Sequence, residues 1–406
     1  MTANRIYTCL IACMLTVAAL AQEENISPYS IFGIGEMQLG ESGRTTGMAS
    51  TAIGLSGGRF LNTANPAALA ALDTTTFIFD VTGSAKGSAF SSGSVTQKAF
   101  SANFTRITAG THLTPRWSAA LSVQPYSTVS YKVENEDYIE GSETKTTTLF
   151  EGSGGVTRLS FLNSIRLTEK FSAGADFMLL FGNIDREASQ SGITIKRNSS
   201  ATTASFTLAM MYKDTLSEKM IFSAGVTYGY KARLQFQNHL KATDASGNTL
   251  FNDDIASSEV VLPEAWGAGI SLTGRKMVIA ADYRYQQWSK TRDPLTSLRF
   301  TDTHKFNCGI AFIPSGFAPK NYFELIEYQA GFTVSNSYLI LYGVNPLNME
   351  LTVGAGLPFR GGGQINIGLG WGKKGTTNEG LIREDYMRIT ISLSMFERMF
   401  MKRLYD

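Results

Sequence analysis

The sequence predicts an all-β fold: a transmembrane antiparallel β-barrel of about fourteen strands behind a glycine-rich N-terminal segment. Three observations lead there. The first is strict alternation. In 386–396, Met387, Ile389, Ile391, Leu393 and Met395 fall on one face, and Tyr386, Arg388, Thr390, Ser392 and Ser394 on the other. The second is that this one-sided pattern recurs from about residue 75 to the closing run, with polar connections between. The third is an export signal at the start and no later stretch near the ~20 apolar residues that a membrane helix needs. In a water-soluble sandwich the apolar faces would meet in a core. Behind an export signal, a series of such strands is expected to turn them to lipid.

Composition agrees. The chain of 406 residues is 43% hydrophobic and 17% charged, with 39 Gly, 25 Phe and 16 Tyr. The charged share lies below the roughly 25% usual in soluble domains. A net charge of +2 without a basic cluster excludes a nucleic-acid surface.

Residues 1–21 read as the signal peptide. Arg5 supplies the positive end, Ile6 to Leu20 is apolar, and Ala19 and Ala21 offer a cleavage site before Gln22. A lipoprotein signal ending at Cys13 would leave too short an apolar region. Residues 22–73 lack alternation and are glycine-rich. Asn65 suits a helix N-cap and Pro66 the first helical position, so a short helix should run to about Leu72. By itself this segment could be an irregular periplasmic leader or a plug within the lumen. Residues 74–397 form the barrel and 398–406 a tail.

Within the barrel, Phe77, Phe79 and Val81 open the series of apolar faces. Phe171 to Phe181, Phe222 to Tyr230, Met277 to Tyr285, Phe306 to Phe312 and Ile365 to Trp371 continue it at every second residue. Short stretches at 168–170 and 273–276 read as periplasmic turns. Polar insertions at 134–144 and 238–258 read as extracellular loops. Tyr126, Tyr131, Tyr230, Tyr285, Trp288 and Trp371 suit aromatic girdles. The glycines of 151–155 mark a bent or crowded backbone.

The polar faces are mostly small and neutral. Asp176, Asp282 and Arg284 are the charged candidates for lumen-facing positions, and Asp282 and Arg284 could form an ion pair or touch a ligand. Nothing marks an enzyme or a cofactor site. His112, His239 and His304 have no metal-ligand spacing. Cys9 and Cys13 leave with the signal, and Cys308 alternates with Phe306, Ile310 and Phe312 towards lipid. The glycines and lysines of 368–377 lack the spacing of a phosphate loop.

Several ordered pieces give the chain a family likeness: Asn65-Pro66-Ala67, the glycines of 151–155, Leu262-Pro263 with Trp266-Gly267, and Asp282, Arg284 and Trp288. Gly372 to Gly375 and the closing strand complete them. The chain resembles the FadL-like long-chain fatty acid transporters, particularly Bacteroidetes-type relatives, and also resembles PorV-like barrels. The resemblance implies fourteen strands and a lumenal plug, with Asn65, Pro66 and Ala67 in the plug motif. It implies passive uptake of hydrophobic, fatty-acid-like molecules at a bacterial outer membrane, with exit past the plug or sideways through the wall. The competing expectation is a non-transporting barrel subunit of a larger outer-membrane complex for secretion, barrel assembly or nutrient uptake. The expected partners are membrane lipids, hydrophobic small molecules and other outer-membrane proteins.

Overall fold

The chain closes into a fourteen-stave antiparallel barrel. The computed structural model describes residues 27–38, 43–93, 95–138, 145–291, 299–315, 321–340, 343–359 and 362–398. The expected signal peptide and residues 399–406 of the expected tail lie outside these. The staves begin with β2 (Thr76–Ser92), β3 (Val95–Thr114) and β4 (Trp117–Thr128), the last continued by β5 (Tyr131–Tyr138). Next come β6 (Lys145–Arg166), β7 (Phe171–Gln190) and β8 (Ile193–Ser217). One stave joins β9 (Met220–Gly229) to β10 (Ala232–Thr243), and the next joins β11 (Thr249–Leu262) to β12 (Ala265–Gly274). The remainder are β13 (Met277–Gln286), β15 (Thr303–Phe312), β16 (Glu327–Asn336), β18 (Leu347–Phe359), β19 (Gly363–Lys374) and β20 (Arg383–Arg398). Pairing of β2 with both β3 and β20 shuts the ring. A small β14–β17 pair (Arg299–Phe300 with Leu339–Ile340) lies between staves, and β1 (Glu36–Met37) precedes the barrel.

Alternation sets the two sides of the wall. On β20, Met387, Ile389 and Ile391 are exposed outward, while Thr390 and Ser392 are buried inward. The same holds on β13 for Met277 and Ile279 against Ala280 and Asp282. The outer apolar band is what a bilayer requires. The wall is uneven. β6, β7 and β8 run 22, 20 and 25 residues, about twice the ~10 needed to cross, so their upper halves stand clear of lipid.

Residues 27–38 and 43–72 lie within the lumen. They adopt short 3-10 turns, including Pro66–Ala71. Wall and segment come so close that side chains are excluded. A Cβ at Gly174 would sit 2.3 Å from the Ala67 nitrogen, and one at Gly331 2.4 Å from the Met48 carbonyl carbon. Asp282 anchors the centre. Its carboxylate accepts from the N–H groups of Ala52 at 2.6 Å, Ile53 at 2.8 Å and Gly54 at 3.3 Å. Thr352, Gln329, Ser271 and Ser164 hydrogen-bond the same segment from other staves.

Two expectations are corrected. The insertion 238–258 is not an irregular loop: β10 and β11 pair through it up to a tight turn at 244–248, and β5 likewise covers 131–138. Polar residues on both faces hid these strands, because above the bilayer neither face needs to be apolar. Nor do all the aromatics form girdles. Tyr230 and Trp371 are exposed, but Tyr131 and Trp288 are buried. Both join a core with Ile34, Leu180, Leu234 and Leu262, against which Tyr126 also packs.

Replacing Asp282 by Ala leaves three buried donors without an acceptor, and should destabilise the barrel by about 3 kcal/mol in denaturant unfolding from vesicles. Asp282→Asn, which keeps one acceptor oxygen, should cost less. On the β10–β11 hairpin, His239 Nδ1 lies 2.8 Å from Asp254 and Nε2 3.0 Å from Asn252 Oδ1. These hydrogen bonds raise its pKa above the usual 6.5. A raised folded-state pKa adds stability that is complete below the unfolded value and is lost as pH rises through the folded one. Amide exchange in this hairpin should therefore be slower at acid than at alkaline pH, after correction for intrinsic rates, and Asp254→Asn should shrink the difference.

Candidate functional site

The lumen above the N-terminal segment holds a cavity of about 470 Å³. Its position follows from a break in the wall. β3 pairs with β4 only from Ile107↔Val123 downwards. Above that level β4 leaves its neighbour and turns inward. Pro125 lacks an N–H and sits at a register shift against β6. On β6, Gly154 and Gly155 take φ of +99° and +147°. A Cβ at Gly155 would stand 2.3 Å from the Ser127 carbonyl oxygen, so only glycine lets β4 swing in. The glycines of 151–155 are thus the bend expected from the sequence.

The N-terminal segment meets the inturned strand. β1 pairs with β4 at Glu36↔Thr128 and Met37↔Ser127, and Gln38 N–H donates to the Tyr126 carbonyl at 2.9 Å. Ser101, Asn103, Phe104 and Thr105 line the cavity from the β3 edge; Gln124, Pro125 and Thr128 line it from the β4 edge. The cavity therefore lies directly behind the break. Phe100 and Phe104 stand exposed on the β3 side.

The lining is charged, in contrast to the mostly small and neutral inward faces elsewhere. Glu36 pairs with Lys374 at 2.9 Å, Lys86 with Glu384 at 2.9 Å, and Arg388 with Glu350 at 2.6 Å. Tyr386 donates to Glu350 at 2.8 Å and Ser88 to Glu384 at 2.6 Å. The Lys86 ammonium lies 5.4 Å from the Tyr386 ring centre, and that of Lys374 5.3 Å from Tyr29. These six charges cancel. Lys305 also lines the cavity, and Arg284 is its register partner on β13. Among the described residues neither has a carboxylate oxygen within 4.0 Å. The site carries an excess of positive charge.

The residues predicted from sequence lie elsewhere. Asn65 caps its turn, accepting from Ala67 N–H at 3.0 Å and donating to the Ile53 carbonyl at 2.8 Å. Pro66 opens the turn, and the Ala67 carbonyl accepts from Ser164 and Ser172. Asp176 is buried, ion-paired with Arg158 and hydrogen-bonded by Ser160. Asp282 and Arg284 form no ion pair, since the N-terminal segment occupies the carboxylate. Lys86, Lys305, Lys374 and Glu350 were missed. Each sits at an inward position of its strand, and a charge at such a position was the signal available.

The sequence profile of the BamG family matches residues 3–406. The chain belongs to the BamG family. No curated relative matches its sequence. Among solved structures it is similar to a Pseudomonas aeruginosa FadL homologue at TM-score 0.59 and 12% identity, covering 90% of this chain and 100% of that one. The Pseudomonas putida toluene transporter TodX gives 0.57 and 15%, with 91% and 100% covered. The CymD monoaromatic hydrocarbon channel gives 0.55 and 15%, with 88% and 97% covered. At such identities the likeness is one of fold.

Within the site, Glu36 holds β1 against the wall. Glu36→Ala should leave Lys374 without its 2.9 Å partner and loosen the β1–β4 pairing. The Met37 and Gln38 amides should then exchange faster by on the order of tenfold or more, while barrel amides keep their rates.

Proposed function

We propose that this BamG-family barrel sits in a bacterial outer membrane and passes small hydrophobic and amphipathic molecules between its lumenal cavity and the bilayer. Residues 27–72 serve as the plug and the break between β3 and β4 as the lateral port. The observation that carries this reading is that both edges of the break line the cavity. The printed roles of the similar structures, a toluene transporter and a monoaromatic hydrocarbon channel, support it by analogy of fold. The cavity adds a constraint. A purely apolar solute would desolvate Lys305, Lys374 and Arg388 without compensation. The lining suits a fatty-acid-like molecule whose anionic end meets Lys305 and whose tail lies along Phe104.

The test is titration of the full chain in lipid nanodiscs with dodecanoate and with toluene. Dodecanoate should bind saturably. Lys305→Gln should weaken it about tenfold, the loss of one charge-assisted hydrogen bond, and leave toluene unchanged. Absence of saturable binding of either probe would sink the transport reading.

A second reading, a subunit of a larger outer-membrane assembly, is favoured by the upper wall. Among the described residues, β11 pairs as a strand only with β10, and its other edge is met at Val261 by the Thr291 hydroxyl alone among the side chains. Ile195 and Phe251 stand exposed beside Ala242 on the same rung. Gentle extraction from native membranes followed by native-mass measurement discriminates: stoichiometric protein partners with an empty lumen support the subunit, and a lone barrel carrying amphiphile supports transport.

A further inference from the structure

The periplasmic end of the barrel has one connection unlike the others. The connections at 115–116, 167–170, 218–219 and 275–276 span two to four residues, and three residues separate β18 from β19. The connection 313–326 between β15 and β16 is far longer. Loop-closure cost does not call for that length between adjacent antiparallel strands, which a two-residue turn can join. The described parts of the loop are held in place. Ile313 N–H donates to the Lys276 carbonyl at 2.7 Å and Ser315 N–H to the Glu324 carbonyl at 3.1 Å. Asn321 caps the 3-10 turn Tyr322–Glu324, accepting from Glu324 N–H at 3.1 Å.

What this folded turn displays is apolar. Tyr322, Phe323 and Leu325 are 49%, 70% and 39% exposed. Their direction is settled by Tyr328. That side chain faces outward on β16, beside outward Phe312 and Met277 in one rung across three staves. Its hydroxyl donates to the Phe323 carbonyl at 3.3 Å. The turn 321–325 is therefore folded over the outer wall, not beneath the lumen. The Tyr322 and Phe323 rings meet edge to face at 6.5 Å. Phe323, Tyr322 and Tyr328 thus continue the lipid-facing band beyond the ends of the strands.

We propose that the turn 321–325 is an interfacial anchor seated in the inner leaflet, with Tyr322, Phe323 and Leu325 at the boundary of headgroups and acyl chains. Its occupant is lipid, because the patch is continuous with the lipid-facing face of β15 and β16. Tyr with one polar end, beside Phe and Leu, is the composition such a boundary takes. Asn321 and Glu324 flank the apolar side chains and supply the polar border on the water side. The loop lies eight staves on from β3, on the far side of the barrel from the wall break. Anchoring there holds the low wall at a set depth while the break faces the opposite lipid.

The proposal depends on the barrel and not on transport. It is tested with the full chain carrying Cys9→Ser, Cys13→Ser and Cys308→Ser. Single cysteines are placed by Phe323→Cys, Tyr322→Cys, Phe332→Cys in the apolar band, and Glu169→Cys in a short turn at the same end. Each is labelled with a nitroxide and reconstituted in phosphatidylethanolamine–phosphatidylglycerol vesicles. Relaxation by oxygen, which concentrates in lipid, is compared with relaxation by a water-soluble nickel chelate. The oxygen-to-nickel ratio at 322 and 323 should be several times that at 169 and approach that at 332. A ratio equal to that at 169 overturns the anchor. So does shielding of 323 from both reagents in native outer membranes, which would mean that a protein covers the turn.

Discussion

Hydrocarbon offers no hydrogen bonds to the backbone, and the rest of this structure depends on that. Every N–H and C=O within the bilayer must find a partner in the chain, so the strands close into a ring. From Ile107 downward β3 and β4 obey this fully. The wall parts only above, where Gln38 and β1 from the N-terminal segment supply some of the missing partners. The cavity is the space left by that inward turn. Its location follows from Pro125 and the two positive-φ glycines of β6 as much as from any side chain that lines it.

Filling the ring poses a different problem from closing it. The N-terminal segment bonds part of its backbone within its own short turns, and the wall satisfies other groups. Asp282 takes three of them, and serines and threonines on several staves take others. This explains why the inward faces are rich in small polar residues, and why glycines stand where backbone meets backbone. The charged network above is a separate layer. Burying six charges is costly unless each is paired and hydrogen-bonded, and they are. Lys305 lies beside this network and, among the described residues, has no carboxylate oxygen within 4.0 Å.

Much of the fold was legible in the sequence. Alternation gave the staves and their two faces, because a strand at a lipid boundary must be apolar on one side throughout. It failed where lipid ends. The β10–β11 hairpin read as a loop because water on both sides removes the requirement. Trp288 and Tyr131 read as girdle residues because an aromatic near a strand end looks the same whether it turns out to lipid or in to a core. The roles of Asp176 and Asp282 were out of reach for a similar reason. Their inward position could be counted along the strand, but Arg158, or the three N–H groups across the lumen, could not.

The sequence by itself determined the class: antiparallel staves with an apolar outer face, a glycine-rich segment before them, and a bend at 151–155. These depend on spacing along the chain, which local periodicity records. Only the tertiary structure decided which charges share one cavity, that the break lies between β3 and β4, and that the turn 321–325 before β16 folds outward over the wall. Those depend on register between strands and on the path of the N-terminal segment inside the ring. They bring together residues such as Glu36 and Lys374 whose separation in sequence carries no sign of their contact.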